Sequence, residues 1–153
     1  MAMKSEMPIR IAVFEPCYQG AVKSLVLDGL GRRWGELDKD LNPDLDNIAH
    51  SYSSGHFLVA LHGGQVVGTG ALIPESQGVM RVVRMSTAVA MRNKGIGTRM
   101  LEELLLIARN HGCKQVVLET TATWHDAVHF YLDCGFRIVA EQNGDLHFAL
   151  DLV

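Results

Sequence analysis

The chain has 153 residues, of which 48% are hydrophobic and 20% are charged, and its formal net charge is −3. A chain of this length can bury one autonomous core, so we expect a single domain over residues 1–153. The composition excludes a disordered or fibrous protein, and the acidic balance argues against a general nucleic-acid binder.

The N-terminus and the cysteines indicate a reducing compartment. Residues 1–7 lack the apolar stretch of a signal peptide, and no run approaches the roughly 18 apolar residues of a membrane span. Cys17, Cys113 and Cys134 are an odd number without a CxxC pair, which fits neither a disulfide scaffold nor a common zinc module. We therefore expect a cytoplasmic protein that binds no membrane and no metal.

The first half of the chain predicts a strand, two helices and a β-hairpin. Pro16 ends the first strand, and Gly29 and Gly31 favour fraying or an early end of the first helix. A glycine-rich turn joins the two strands of the hairpin. The predicted elements are a strand at 9–14, helices at about 18–34 and 44–52, and strands at 56–61 and 65–73.

The second half predicts a long amphipathic helix between strands. The apolar residues of this helix fall on one broad face, and Gly135 is placed to end the helix that follows. The predicted elements are strands at 80–89, 115–119, 136–141 and 145–150, and helices at 95–111 and 124–134. This order predicts an α+β (mixed α/β) protein, with a mixed sheet of about seven strands and about four flanking helices.

An acidic segment separates the first two predicted helices. The stretch from Glu36 to Asp46 carries five acidic residues against one base, Lys39. Such a run is typical of a solvated surface, and it also suits an attractor for a cationic substrate. Both interpretations stay open at this point.

The most informative segment runs from Arg92 to Thr98, between a predicted strand and the long helix. The start of a helix leaves backbone N–H groups unpaired and carries the positive end of the helix dipole, which suits phosphate. Gly95 and Gly97 remove Cβ atoms that would obstruct a diphosphate, and Arg92 and Lys94 add positive charge. GxxxxGK[ST] is absent and the third glycine of a dinucleotide fingerprint is missing, which disfavours ATP and NAD.

Other kinds of catalytic site find little support. His125 and His129 are spaced for one helix face, but HExxH is missing and Cys134 lies on a different face, so a metal site is not expected. A helix C-terminus disfavours a thiolate at Cys134, and GxSxG is absent, so neither a cysteine nor a serine nucleophile is indicated.

Two segments resemble the GNAT superfamily of N-acetyltransferases. Residues 84–98 contain Arg92, Gly95 and Gly97 at the spacing of its acetyl-CoA motif, (Q/R)xxGx(G/A), and residues 127–136 are similar to its AxxxYxxxGF element, with Tyr131 as the tyrosine. The resemblance extends over nearly the whole chain from about Ile9. It implies a GNAT-like fold, with acetyl-CoA as co-substrate.

The resemblance also implies the residues that bind acetyl-CoA. Backbone groups of the strand before the loop would pair with the pantetheine arm, and amides of the loop would hold the diphosphate. The implied set is Met85, Ser86, Thr87, Arg92, Asn93, Lys94, Gly95, Ile96, Gly97, Thr98 and Tyr131. Two positions depart from the family's pattern: Val89 replaces a common proline, and Trp124 replaces an asparagine that contacts the cofactor.

Acetyl transfer requires a neutral amine, a polarised carbonyl and a proton for the leaving thiolate. At pH 7 a lysine amine is only about 0.04% neutral and an α-amino group about 14%. Tyr131 can remain protonated and act as general acid, and a backbone N–H near Met85 can polarise the carbonyl. Glu119 is the first candidate for the base, with Glu75, His125 and an ordered water as alternatives.

We therefore expect an acetyl-CoA-dependent N-acetyltransferase that transfers directly to an amine of a small molecule or peptide. The first two helices and the loops near Glu75 and Asn143 would set specificity, and the acidic segment slightly favours a cationic acceptor. The alternatives are a non-catalytic acyl-CoA sensor and a phosphate-binding domain unrelated to CoA. The sequence does not determine the oligomeric state and leaves a homodimer open.

Overall fold

A computed structural model of the chain describes residues 8–34 and 42–152. Seven strands form one sheet in the order β1-β2-β3-β4-β5-β7-β6, in which only the β4–β5 pair is parallel. The strands are β1 (Ile9–Val13), β2 (His56–His62), β3 (Gln65–Ser76), β4 (Val79–Thr87), β5 (Gln115–Thr121), β6 (Arg137–Gln142) and β7 (Asp145–Asp151). The helices are α1 (Gln19–Trp34), α2 (Ile48–Ser51), α3 (Ile96–Asn110) and α4 (His125–Asp133). The predicted α+β class and the mixed sheet are confirmed.

The region around α1 and α2 differs in detail from the prediction. Gly29 and Gly31 do not end α1, which continues to Trp34. A Cβ at Gly29 would lie 3.2 Å from the Ser86 hydroxyl oxygen, so this glycine lets α1 lie close to β4. The predicted helix at 44–52 is a 3-10 turn, Pro43–Asp46, followed by the single turn of α2, because Asn47 adopts a non-helical backbone and caps α2.

Each face of the sheet has its own core. Successive residues of β2 alternate between the two, since Leu58 and Ala60 pack with α3 whereas Phe57 and Val59 pack with α1. The apolar face predicted for α3 is buried in full: Ile96, Met100, Leu101, Leu104, Leu105 and Ala108. Burial of one leucine or isoleucine contributes roughly 1.5–3 kcal/mol, so this face fixes α3 firmly against the sheet.

The separation of β4 from β5 creates the opening that matters for function. The two strands pair only where residues 79–81 face residues 115–117. Beyond that point β4 continues alongside β3 and β5 continues alongside β7, so the edges of β4 and β5 that face each other lose their partners. A cleft opens between the carboxyl ends of these two parallel strands.

No helix within residues 8–34 and 42–152 combines the length and the apolar character needed to cross a bilayer.

Candidate active site

A cleft of about 880 Å³ lies between the separated ends of β4 and β5. It brings together Glu119 and all but one of the residues that the resemblance implied for binding acetyl-CoA. Its lining includes Met85, Ser86, Thr87, Arg92, Asn93, Gly95, Ile96, Gly97, Thr98, Glu119 and Tyr131. Lys94 is the exception, because it is exposed and does not line the cleft.

The start of α3 presents unpaired backbone donors to this cleft. The first hydrogen bond of the helix runs from the Arg99 amide to the Gly95 carbonyl, over 3.0 Å. The amides of residues 96–98 therefore have no partner one turn earlier, and no side chain caps the helix. Three N–H groups and the positive end of the helix dipole fit a diphosphate, so this part of the structure suits coenzyme A.

The two glycines of the loop are required for different reasons. Gly95 has φ +80°, a left-handed conformation that glycine adopts without strain, and no atom lies within 4 Å of the place where its Cβ would be. At Gly97 a Cβ would lie 3.3 Å from Cζ of Phe130 on α4. Besides leaving room for a ligand, Gly95 therefore meets a conformational requirement of the turn, and Gly97 meets a packing requirement.

A β-bulge in β4 shapes the opposite wall. Thr69 pairs with Ser86 and Ala71 pairs with Val83. The two β3 residues are two positions apart and their β4 partners are three apart, so β4 contains one extra residue, which is a β-bulge. Arg84 in the bulge has φ +57°, and its carbonyl accepts a 2.7 Å hydrogen bond from the buried Thr69 hydroxyl. Because β5 has separated from this stretch, the edge of β4 that follows the bulge faces the cleft with its backbone groups available.

Tyr131 lies between the cleft and the core. Only 8% of the residue is exposed, and its ring packs against Phe130, Phe136 and Phe148. Burial raises the pKa of its hydroxyl well above the ordinary value of 10. Because burial raises its pKa, the hydroxyl stays protonated at neutral pH, and since Tyr131 lines the cleft it can donate there.

An ion pair that the sequence did not reveal lies in another part of the cleft lining. The Arg84 guanidinium donates to both carboxylate oxygens of Asp44, at 2.7 and 3.0 Å, and the Tyr52 hydroxyl donates to the same group at 2.6 Å. Burial alone would raise the pKa of Asp44, but hydrogen bonds from Arg84 and Tyr52 outweigh it, and the pKa is lowered. Burial and the Asp44 carboxylate raise the pKa of Tyr52 to about 12.

A second ion pair crosses the mouth of the cleft. Arg33, near the end of α1, donates to both carboxylate oxygens of Asp126, at 2.8 and 3.1 Å. The same guanidinium lies 4.4 Å from the centre of the Trp124 ring, and all three residues line the cleft. Arg33 and Asp126 are far apart in the chain, so the sequence does not indicate this ion pair and only the structure shows it.

The candidate bases differ in position. Glu119 lines the cleft and is about half exposed. Glu75 and His125 do not line it, His125 is exposed, and two hydrogen bonds from Arg81 lower the pKa of the Glu75 carboxyl. Of the three, Glu119 alone lines the cleft.

The two aspartates of the acidic segment that the structure describes both form ion pairs. Asp44 pairs with Arg84 and Asp46 with Lys23, while Glu36, Asp38 and Asp40 lie outside the described residues. Within the described ranges no group of three or more His, Cys, Asp or Glu side chains is arranged to hold a metal ion. Neither Asp44 nor Asp46 is thus left as an unpaired attractor.

Comparison with protein families agrees with this geometry. A family model described as the GNAT acetyltransferase family matches residues 20–136. The chain belongs to this family. The GNAT match includes the loop at the start of α3, the cleft and the helix that carries Tyr131.

Individual relatives support the GNAT assignment. N-acetyltransferase 8F1 of Mus musculus is 36% identical over 123 residues, which cover 74% of this chain and 55% of the relative. The chain spans about half the length of the curated relatives it matches. The similarity therefore concerns the domain described here.

Solved structures show the same GNAT fold at low identity. A GNAT-family acetyltransferase from Staphylococcus aureus Mu50 has a TM-score of 0.88 at 23% identity, over 95% of this chain and 100% of the other. PaiA N-acetyltransferase of Thermoplasma acidophilum, in complex with coenzyme A, has a TM-score of 0.83 at 17% identity, over 95% and 99%. The likeness to these two structures concerns the fold alone.

The two departures from the GNAT pattern lie at the edge of the site. Val89 begins a 3-10 turn, Val89–Met91, and is partly exposed. Trp124 occupies the position of the usual asparagine and stacks with Arg33 instead. The GNAT pattern has an asparagine, a smaller side chain, at this position. The tryptophan of this chain adds a contact between α1 and the start of α4.

Proposed function

We propose that this domain transfers the acetyl group of acetyl-CoA directly to an amine of a small molecule or peptide, within a ternary complex. The strongest support is the cleft itself. It places the unpaired amides of α3, the free edge of β4, a protonated tyrosine and a carboxylate around one cavity. Each of these groups serves a separate requirement of acetyl transfer.

The diphosphate would be held by main-chain groups. Amides of residues 96–98 are available as donors at the start of α3, and the left-handed conformations of Asn93 and Gly95 shape the preceding loop. Arg92 lines the cleft and adds positive charge, while Lys94 lies at the exposed rim. Binding is therefore expected to depend more on the shape of this loop than on any single side chain.

The chemistry divides between two walls of the cleft. When bound, acetyl-CoA supplies a thioester that an amine can attack with loss of thiolate. A backbone N–H of the free edge of β4, within Met85–Thr87, would polarise the carbonyl, and the Tyr131 hydroxyl would donate a proton to the departing sulfur. Glu119, facing them from β5, would accept the proton of the amine, directly or through water.

The cysteines support direct transfer without an acyl-enzyme. None of Cys17, Cys113 and Cys134 lines the cleft. Burial, followed by the nearby Asp133 and Glu102 carboxylates, raises the pKa of the Cys134 thiol, which disfavours the nucleophilic thiolate. Three free thiols also fit the reducing compartment of the cytoplasm, which we propose as the location.

Two measurements test this function. Calorimetry should detect acetyl-CoA binding below millimolar concentration. A thiol-release assay with a panel of amines (amino acids, short peptides, polyamines and N-capped lysine) should detect turnover with at least one of them. Failure to bind would contradict every role that involves coenzyme A, whereas binding without turnover on any amine would indicate a sensor.

A further inference from the structure

His147 lies next to Glu119 on the neighbouring strand. The two residues are direct partners in the antiparallel register of β5 and β7. Their side chains emerge on the same face of the sheet, and Nε2 of His147 lies 3.6 Å from Oε2 of Glu119. A small side-chain movement would close this separation to a hydrogen bond.

Glu119 is held from the other side by Arg81 of β4. Nη1 of Arg81 lies 3.9 Å from Oε1 of Glu119, and this nitrogen is buried without a hydrogen-bond partner among the described residues. The other edge of the guanidinium is fixed by two hydrogen bonds to Glu75. Glu119 therefore lies between a fixed cation and an imidazole.

We propose that His147 is a positioning residue that orients Glu119 and takes up the proton that Glu119 receives from the amine. This inference rests on the proposed acetyl transfer. The N–H bond of the amine breaks, its electron pair stays on nitrogen for the attack, and the proton binds a Glu119 oxygen, directly or through water. The proton then passes to Nε2 of His147, and the imidazolium releases it to solvent, to which this side chain is 27% exposed.

The chemistry of the two groups makes this transfer favourable. A glutamate carboxyl ordinarily has a pKa of about 4.3 and an imidazole one of about 6.5, so a proton moves downhill from the first to the second. The Arg81 guanidinium gives the Glu119 carboxylate a neighbour of opposite charge, 3.9 Å away.

Carboxylates lie beside His147 on two strands. Glu119 faces it from β5, and Asp145 lies two residues earlier on the same face of β7. On β6 the register places the uncharged Ala140 opposite it. Among the described residues at these positions of β5, β6 and β7, the imidazole therefore has two carboxylate neighbours, Glu119 and Asp145, and no cationic neighbour.

The experiment follows kcat against pH, from 6 to 9, for the wild type, His147→Gln, Glu119→Gln and the double variant, with the most active amine of the panel. His147→Gln should lower kcat about 10-fold at pH 7 and less than about twofold at pH 9, where more of the amine is already neutral. KM for acetyl-CoA should change less than about twofold, because the cofactor loop is untouched. In the Glu119→Gln background the His147 substitution should add less than about a factor of two.

Two further variants separate a proton role from a structural one. His129→Gln, an exposed histidine on α4 outside the cleft, is the matched control and should match the wild type at every pH. Added imidazole should restore part of the turnover of His147→Ala, which a merely misfolded site would not allow.

Three results would overturn the inference: a pH profile of His147→Gln that superimposes on the wild type, an undiminished effect in the Glu119→Gln background, or no rescue by imidazole. Each of them, with an active wild type, leaves the proposed function intact. A wild type that acetylates no amine contradicts both.

Discussion

The two sides of the cleft differ in the groups that line them, which are backbone groups on one side and side chains on the other. On the side that we propose for acetyl-CoA, called the cofactor side, the groups that face the cavity belong mainly to the backbone, namely the first amides of α3 and the free edge of β4 after its bulge. On the side that we propose for the amine, called the acceptor side, they are side chains held by ion pairs, Arg84 with Asp44 and Arg33 with Asp126. One side depends on conformation, the other on particular residues.

A site made of backbone groups is compatible with a fold that is kept at low sequence identity. A backbone site needs only glycines at a few positions and a strand that separates from its neighbour, so it can persist where most side chains change. The Staphylococcus aureus acetyltransferase keeps the fold at 23% identity. Ion pairs such as Arg33–Asp126 depend on particular side chains, and we expect them to set the acceptor preference of this chain.

The largest expected effect is on the cofactor side. Gly97→Glu should weaken acetyl-CoA binding at least about 100-fold, because it brings a carboxylate to the phosphate-binding amides and a Cβ to 3.3 Å from the Phe130 ring. Calorimetry measures the change. Gly20→Glu, where no atom lies within 4 Å of the new Cβ, is the control and should bind as the wild type does. If Gly97→Glu bound acetyl-CoA as tightly as the wild type, the loop at the start of α3 would not be part of the binding site.

Tyr131→Phe should lower kcat about 100-fold and leave acetyl-CoA affinity within about threefold. The phenylalanine keeps the ring contacts with Phe136 and Phe148, so the fold should be retained. Because burial raises the pKa of Tyr131, its hydroxyl should stay protonated, and wild-type kcat should show no decline from this group between pH 8 and about pH 10. Unchanged turnover in the variant would show that another group protonates the thiolate.

The acceptor side should respond more weakly, and first in stability. Asp44→Asn replaces the charged partner of a mostly buried guanidinium with a neutral amide and should lower the free energy of unfolding by about 1–3 kcal/mol in urea at pH 7. The control Asp46→Asn breaks an exposed pair with Lys23 and should cost less than about 0.5 kcal/mol.

The acid dependence of the same pair can be checked in these variants. Since the pKa of Asp44 is lowered in the folded state, its stabilisation is present above the ordinary value of 3.8 and is lost as the pH falls below it. The difference between wild type and Asp44→Asn should therefore shrink from pH 7 to pH 3. A constant difference would show that the carboxylate charge is not what stabilises the fold.

The smallest effect is expected at the mouth of the cleft. Arg33→Gln should reduce the free energy of unfolding by less than about 1 kcal/mol, since Asp126 is largely exposed. It should change KM for the amine severalfold and leave acetyl-CoA binding unaltered. Arg32→Gln, which breaks an exposed pair with Asp28 on the same helix, should change neither quantity. A shift in acetyl-CoA affinity would mean that the two sides are coupled.

The sequence predicted the cofactor side far better than the acceptor side. The apolar periodicity of α3, the turn glycines and the C-terminal Gly135 are local signals, and each marks an element that the structure contains. The bulge at Arg84 and the pairing of Arg84 with Asp44 join distant segments, so no local pattern indicates them. His147 carried no signal either, because its partner Glu119 is adjacent only across the sheet.

The most direct test of the account is a crystal structure of the chain in complex with acetyl-CoA. We predict the diphosphate oxygens within about 3.2 Å of backbone nitrogens of residues 96–98, and the thioester between Tyr131 and the edge of β4. A complex in which the nucleotide binds elsewhere, with those amides turned to solvent, would contradict the account.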